Sequence, residues 1–196
     1  MAYSKAKLSD LKQSLADRHD GGTLPTDTPT LTLWTRIFNR GQEYCADILS
    51  LKKSVSVTTS SNVGALPDDF KSVSDVYDSG DNLMVMVSPD DIKYQVGGTY
   101  WITGDHDTGF SINVYSEDTV TVKYTYFPAP LVNDTDECII DDPEAVVAYA
   151  YSMIRKSETD PIGDAQEAMI ECNQRLKNVK SDYDNNNANS EMALGI

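Results

Sequence analysis

Asp141-Asp142-Pro143-Glu144-Ala145-Val146-Val147-Ala148-Tyr149-Ala150-Tyr151 reads as the start of a buried helix. Asp142 can cap it with its carboxylate, Pro143 suits the first helical position because its missing N–H would be unpaired there, and Glu144 complements the positive dipole end. Val146, Tyr149, Ala150, Met153 and Ile154 recur at three- and four-residue spacing, and Arg155 and Lys156 fall in the last turn. The helix should therefore stop near Ser157. After Asp160-Pro161-Ile162-Gly163 a second stripe follows: Ala165, Ala168, Met169, Cys172, Leu176, Val179 and Tyr183. Two stripes joined by a short turn predict a helical hairpin.

Upstream, Leu8, Leu11 and Leu15 predict a short amphipathic helix with Ser4 as a possible cap, ended by Gly21-Gly22. Thr23 to Thr30, with two prolines, is expected to be an extended connector. Leu33, Trp34, Ile37, Phe38, Tyr44, Cys45, Ile48 and Leu49 then form the strongest apolar stripe outside the hairpin, interrupted by Gly41. From Lys53 the period falls to two. Val55 to Thr59, Val73 to Tyr77, Leu83 to Val87, Tyr94 to Thr103, Phe110 to Tyr115 and Val120 to Phe127 read as strands. Asp78 to Asn82 and Gly104 to Gly109 read as turns between them, and Pro89-Asp90-Asp91-Ile92 as a single helical turn. The fold class is thus α+β: N-terminal helices (1–53), an inserted antiparallel sheet or small sandwich (54–130), a C-terminal helical hairpin (131–184) and an extended C-terminal arm (185–196). The arm is polar through Ser190 and ends in the apolar residues Met192, Ala193, Leu194, Gly195 and Ile196.

Sixteen basic and 31 acidic residues give a net charge of −15, which disfavours a surface built to neutralise phosphates. Residues 64–118 hold Lys71 and Lys93 against 11 acids, so the acidity begins with the β region. Cys45, Cys138 and Cys172 are widely spaced, without a CxxC pair, and are expected to be reduced and buried. No apolar run has the length of a membrane span. Asp105-His106-Asp107 could face a metal, but its place between two glycines favours a hairpin tip, where neighbouring side chains diverge. Asp78 to Asn82 resembles half a calcium loop without its twelfth-position glutamate. With two histidines and no nucleophile or phosphate-loop motif, the chain is expected to be no enzyme and to carry no metal or cofactor.

The order of parts resembles the head-to-tail adaptor proteins, also called connector or head completion proteins, of tailed bacteriophages. N-terminal helices precede a β segment that opens with Leu66-Pro67-Asp68-Asp69-Phe70. A Tyr-rich strand ending in Pro128, an acidic link and a helical hairpin follow. The resemblance spans about Leu31 to Tyr183. It implies a homo-oligomeric ring of twelve copies in the virion neck, made in the host cytoplasm, joining the portal protein to a tail tube or nozzle protein. Viral DNA would pass through the ring without sequence-specific binding. The arm, Met192 to Ile196, would dock on the portal. Asp134, Asp136, Glu137, Asp141 and Asp142 are the candidates for an acidic channel lining, on which DNA slides without sticking. The β segment is larger than a minimal adaptor needs, so another tail or neck position in the virion stays open.

A different class stays open beside it: a soluble carbohydrate- or protein-binding β module with Tyr100, Trp101 and Tyr115 as stacking aromatics.

Overall fold

A computed structural model describes residues 5–19, 21–90, 96–115, 117–158 and 162–193, with 162 and 184–193 given by their backbone alone. Ser4, Asp91-Ile92, Asp160-Pro161 and Leu194 to Ile196 lie outside the described residues. The fold is α+β with C-terminal helices, and the chain forms two compact units, residues 1–49 with 128–196 and residues 50–127.

In the first unit α1 (Leu8–His19) buries Leu8, Leu11, Leu15 and Ala16. Its entry is fixed by Asp10, whose carboxylate reaches back to the Lys7 N–H at 2.9 Å, one half of a capping box. At its exit the Gly22 N–H donates to the Ala16 carbonyl at 3.0 Å, satisfying one of the last-turn carbonyls that the helix leaves open. α2 (Thr28–Leu49) starts earlier than the two prolines suggest. Asp27 caps it by accepting the Thr30 N–H at 2.8 Å, and Pro29 lies in the first turn, where no N–H is required. The extended connector therefore ends at Asp27 rather than Thr30.

Gly41 does not weaken α2. A Cβ there would sit 3.0 Å from the Tyr149 ring and 3.2 Å from Val146, so the glycine lets α2 approach α3 (Pro143–Ser157) closely. Ala145, Val146, Val147, Ala148, Ala150, Ser152 and Ile154 of α3 are all buried, more than one face of a helix can hold. Helix α3 is accordingly packed by α1, α2 and α4 (Ile162–Ala193).

Helix α4 continues to Ala193, so residues 185–193 are helical where an extended arm is expected. No Pro or Gly occurs between Asp164 and Leu194. Asn and Ser cost only a few tenths of a kcal/mol each in a helix already nucleated upstream. No helix among the described residues is long and apolar enough to cross a membrane.

The second unit is a small sandwich. One sheet has the order β1-β7-β3 and the other β2-β6-β5-β4. The strands are β1 (Lys52–Thr58), β2 (Val63–Ala65), β3 (Phe70–Tyr77), β4 (Val85–Met86), β5 (Thr99–Asp105), β6 (Gly109–Val114) and β7 (Thr119–Tyr126). Period-two alternation sends Val120, Val122 and Tyr124 inward, where they meet Ile112 and Val114 of the other sheet. The ladders are antiparallel except β4–β5, which is parallel and only two residues long. Val63 and Gly64, which fall outside the strands expected from sequence, pair with β6. The Leu66–Phe70 run is a buttressed corner: Leu66 and Phe70 are buried, and the Phe70 N–H closes a turn on the Pro67 carbonyl at 2.9 Å. Asp69 accepts from Lys53 at 2.5 Å and from the Tyr124 hydroxyl at 3.0 Å. Burial, and then the Asp69 carboxylate, pushes the Tyr124 phenol up to about 12.

Candidate assembly surfaces

Five charges tie α1, α3 and α4 into one body. The Arg18 guanidinium forks onto both Glu171 oxygens at 3.0 Å and reaches Glu144 at 2.9 Å. Glu171 also accepts from Arg175 at 2.9 Å, and Arg175 meets Asp142 at 3.2 Å. Asp142 is at once the cap of α3, accepting the Glu144 N–H at 3.2 Å. A second group joins His19 Nε2 to Glu158 at 2.8 Å, Glu158 to Arg155 at 2.9 Å, and Arg155 to Asp164 at 2.9 Å. Bidentate arginine geometry makes such networks worth more than isolated surface pairs.

The network has a pH signature. The hydrogen bond from Arg18 holds the Glu171 carboxyl below its ordinary 4.5, and that from His19 does the same to Glu158. A depressed carboxyl stabilises the fold above its unfolded pKa, and that contribution is lost as pH falls through the folded one. The thermal midpoint is therefore expected to hold from neutrality to about pH 5 and to fall below it. Arg18→Gln should flatten that acid limb. An acid limb unchanged by Arg18→Gln would show that the network contributes nothing.

The five acidic candidates are not equivalent. Asp136 accepts the N–H groups of Val132 and Asn133, both at 2.7 Å, and the Asn133 bond most strongly lowers its carboxyl. Asp142 is engaged as described. Both serve the fold internally. Asp134, Glu137 and Asp141 are exposed; Asp134 meets Lys12 at 2.7 Å, Glu137 pairs by backbone with Lys7, and Asp141 accepts from the Tyr183 hydroxyl. Of the arm, Met192 and Ala193 end α4, and the remaining three residues are outside the described set.

Two features escaped the sequence reading. Asn39 and Gln42, a turn apart on α2, hold the acidic link by its backbone. Asn39 donates to the Leu131 carbonyl at 3.0 Å and accepts its N–H at 2.7 Å. Gln42 donates to the Ala129 carbonyl at 3.0 Å and accepts the Ile139 N–H at 2.9 Å. Beside them lies an open groove of about 690 Å³, lined by Arg36 and Arg40 of α2 together with Leu131 and Val132. The amide spacing i, i+3 was visible in the sequence, but its partners are almost 100 residues away.

In the β unit Asp105-His106-Asp107 does form a hairpin tip. Asp105 Oδ1 accepts the Asp107 N–H at 3.0 Å and the Thr108 N–H at 2.8 Å, while the His106 ring stands edge-on to Phe110 and Phe127. Asp78 similarly accepts the Gly80 and Asn82 N–H groups at 2.8 Å. Among the described residues no three His, Cys, Asp or Glu side chains converge as a metal would require. Cys45, Cys138 and Cys172 are free and buried, and burial pushes the Cys138 thiol up to about 11. The stacking platform does not exist as three rings: Tyr100 is in the sandwich core, Trp101 follows it on the opposite face, and only Tyr115 of the three is exposed.

Residues 6–192 match the model of a known family, the SU10 adaptor proteins. That span includes both compact units. No curated protein matches the sequence.

Proposed function

The chain belongs to the SU10 adaptor protein family, a phage head-to-tail adaptor family, and from that premise we propose that it forms the ring joining portal to tail. It is a structural adaptor of the virion; its ring, copy number, partners and channel are the proposal. The match over residues 6–192, with the helical unit and the β unit both inside it, is the observation that carries this reading.

In this reading the charge-braced helical unit forms the wall of a ring of twelve copies. Closed cyclic assembly needs a rigid protomer, because small angular errors accumulate around a ring. Asp134, Glu137 and Asp141, exposed on the link, face the DNA path and repel it, whereas Asp136 and Asp142 hold the link's shape. Met192 to Ile196 dock on the portal, gaining avidity from the many copies acting together. The β unit serves the tail side.

Imaging the neck of intact virions tests the ring, which requires rotationally repeated density for this chain between head and tail. The arm is tested by Leu194→Asp with Ile196→Asp. Heads that package DNA but lose it, and lack tails, are the expected result. Normal tail attachment by that variant would remove the docking role of the arm.

A further inference from the structure

Five arginines occur in the chain, and they divide into two kinds. Arg18, Arg155 and Arg175 are each held by two carboxylates of the helical unit. Arg36 and Arg40 are exposed, one helical turn apart on α2, and no carboxylate of the described residues lies within ion-pair distance of either. A chain with 31 acids could have paired them many times over. They flank a groove that also carries Val132, 69% exposed, while Leu33 on the same helix is 43% exposed. Glu43 is the one acid lining it. Unpaired arginines beside exposed aliphatic side chains have the composition of a protein interface, where Arg is enriched and Lys depleted.

The complementary surface is on the same unit. Glu167 of α4 is exposed and has no ion-pair partner among the described residues, and Ile170, one turn on, is 55% exposed. In the helical unit Leu24, Leu33, Val132 and Ile170 are the large apolar side chains that stand out into solvent among the described residues. One acid and one aliphatic residue on α4 thus match two cations and an aliphatic residue beside α2. The two patches share no residue and can meet reciprocally across a two-fold axis or head to tail, and the ring reading selects the head-to-tail contact. Different patches meeting head to tail generate a ring or a filament.

Resting on the ring reading above, we infer that the Arg36/Arg40 groove is the lateral socket for a second copy of this chain. The neighbour's Glu167 seats between the two guanidiniums, and its Ile170 covers Val132. Desolvating the pair inside the contact, with the aliphatic residues excluding water around it, gives the charges more effect than they have at an open surface.

The test uses the full chain, supplied in trans during infection, and scores its content in purified particles. Arg36→Glu with Arg40→Glu places like charges against the neighbour's Glu167, and lateral association is expected to weaken on the order of a hundredfold. Adding Glu167→Arg should restore particle content, because it reverses both sides of the contact. The isolated double variant should melt with the wild-type chain, since neither arginine has an internal carboxylate to lose. Wild-type incorporation of the double variant, or failure of the added Glu167→Arg to rescue, overturns the socket and leaves the ring standing. Wild-type necks with no rotational array of this chain overturn the ring itself. Should Arg36→Ala with Arg40→Ala keep the array intact but abolish cross-linking of the chain to packaged DNA, the groove is a phosphate contact and the socket is wrong.

Discussion

Gly104→Val is expected to destabilise the β unit by about 3 kcal/mol or more. Gly104 has φ +98°, a region costly for any residue with a Cβ and worst for a branched one. A Cβ would also stand 2.0 Å from the Gly109 carbonyl oxygen. That oxygen cannot step aside cheaply, because Asp105 and Gly109 pair across the hairpin and the turn between them is fixed by the Asp105 carboxylate. The cost therefore falls on backbone pairing rather than on a mobile side chain. The two tryptophans separate the units: Trp34 is in α2 and Trp101 in β5. Urea unfolding followed by fluorescence should show the Trp101 transition moving to lower denaturant, most clearly after Trp34→Phe. Gly97→Ala is the control, since nothing lies within 4 Å of its added Cβ and it should change stability by less than about 0.5 kcal/mol. Equal midpoints for the two variants would mean that the close approach at Gly104 is not a constraint.

What could be read from sequence followed from interactions that are local along the chain. The start of α3 was legible because a cap, a first-turn proline and a first-turn acid lie within three residues of one another. The strands were legible where alternation is strong, as in Val120, Val122 and Tyr124. Gly41 was misleading for the opposite reason: its use is contact with Tyr149, more than 100 residues away, and no pattern near it records that. The onset of α2 at Thr28 was hidden by Pro29, which reads as a breaker unless Asp27 is recognised as the cap. The end of α4 was misjudged from composition, since six polar residues around Ala188 look like a linker while costing an established helix little. The acidic link showed its charge but not its division of labour, in which Asp136 and Asp142 bind the chain's own backbone and arginines while Asp134, Glu137 and Asp141 stand outward. The arginines show the same limit. Five cations look alike in a list, and only the folded chain shows which two were left without acids.

Gln42→Met is the second large effect, at about 3 kcal/mol. Methionine keeps nearly the same volume, so the change tests hydrogen bonding rather than packing. Gln42 is 1% exposed, and its amide satisfies the Ala129 carbonyl and the Ile139 N–H, two backbone groups that belong to no helix or strand. Removing it leaves the Ala129 carbonyl and the Ile139 N–H without a protein partner beside a buried side chain, each costing about 1–3 kcal/mol, with the lower figure at the exposed Ala129, where water reaches, and the higher at the partly buried Ile139. Asn39→Leu removes the same number of bonds from Leu131, but Asn39 is partly exposed, so water can replace it and the loss should be about 1 kcal/mol. The ratio of the two is the informative measurement. Thermal melting should fall several degrees further for Gln42→Met than for Asn39→Leu, and hydrogen exchange at Ile139 should rise ahead of exchange in α3. If both variants melt together, burial is not what gives Gln42 its weight, and the link is held by its hydrophobic anchors Leu131, Cys138 and Ile140 instead. If Gln42→Met alone loosens the link, the exposed acids proposed to face DNA are positioned by a single glutamine on α2.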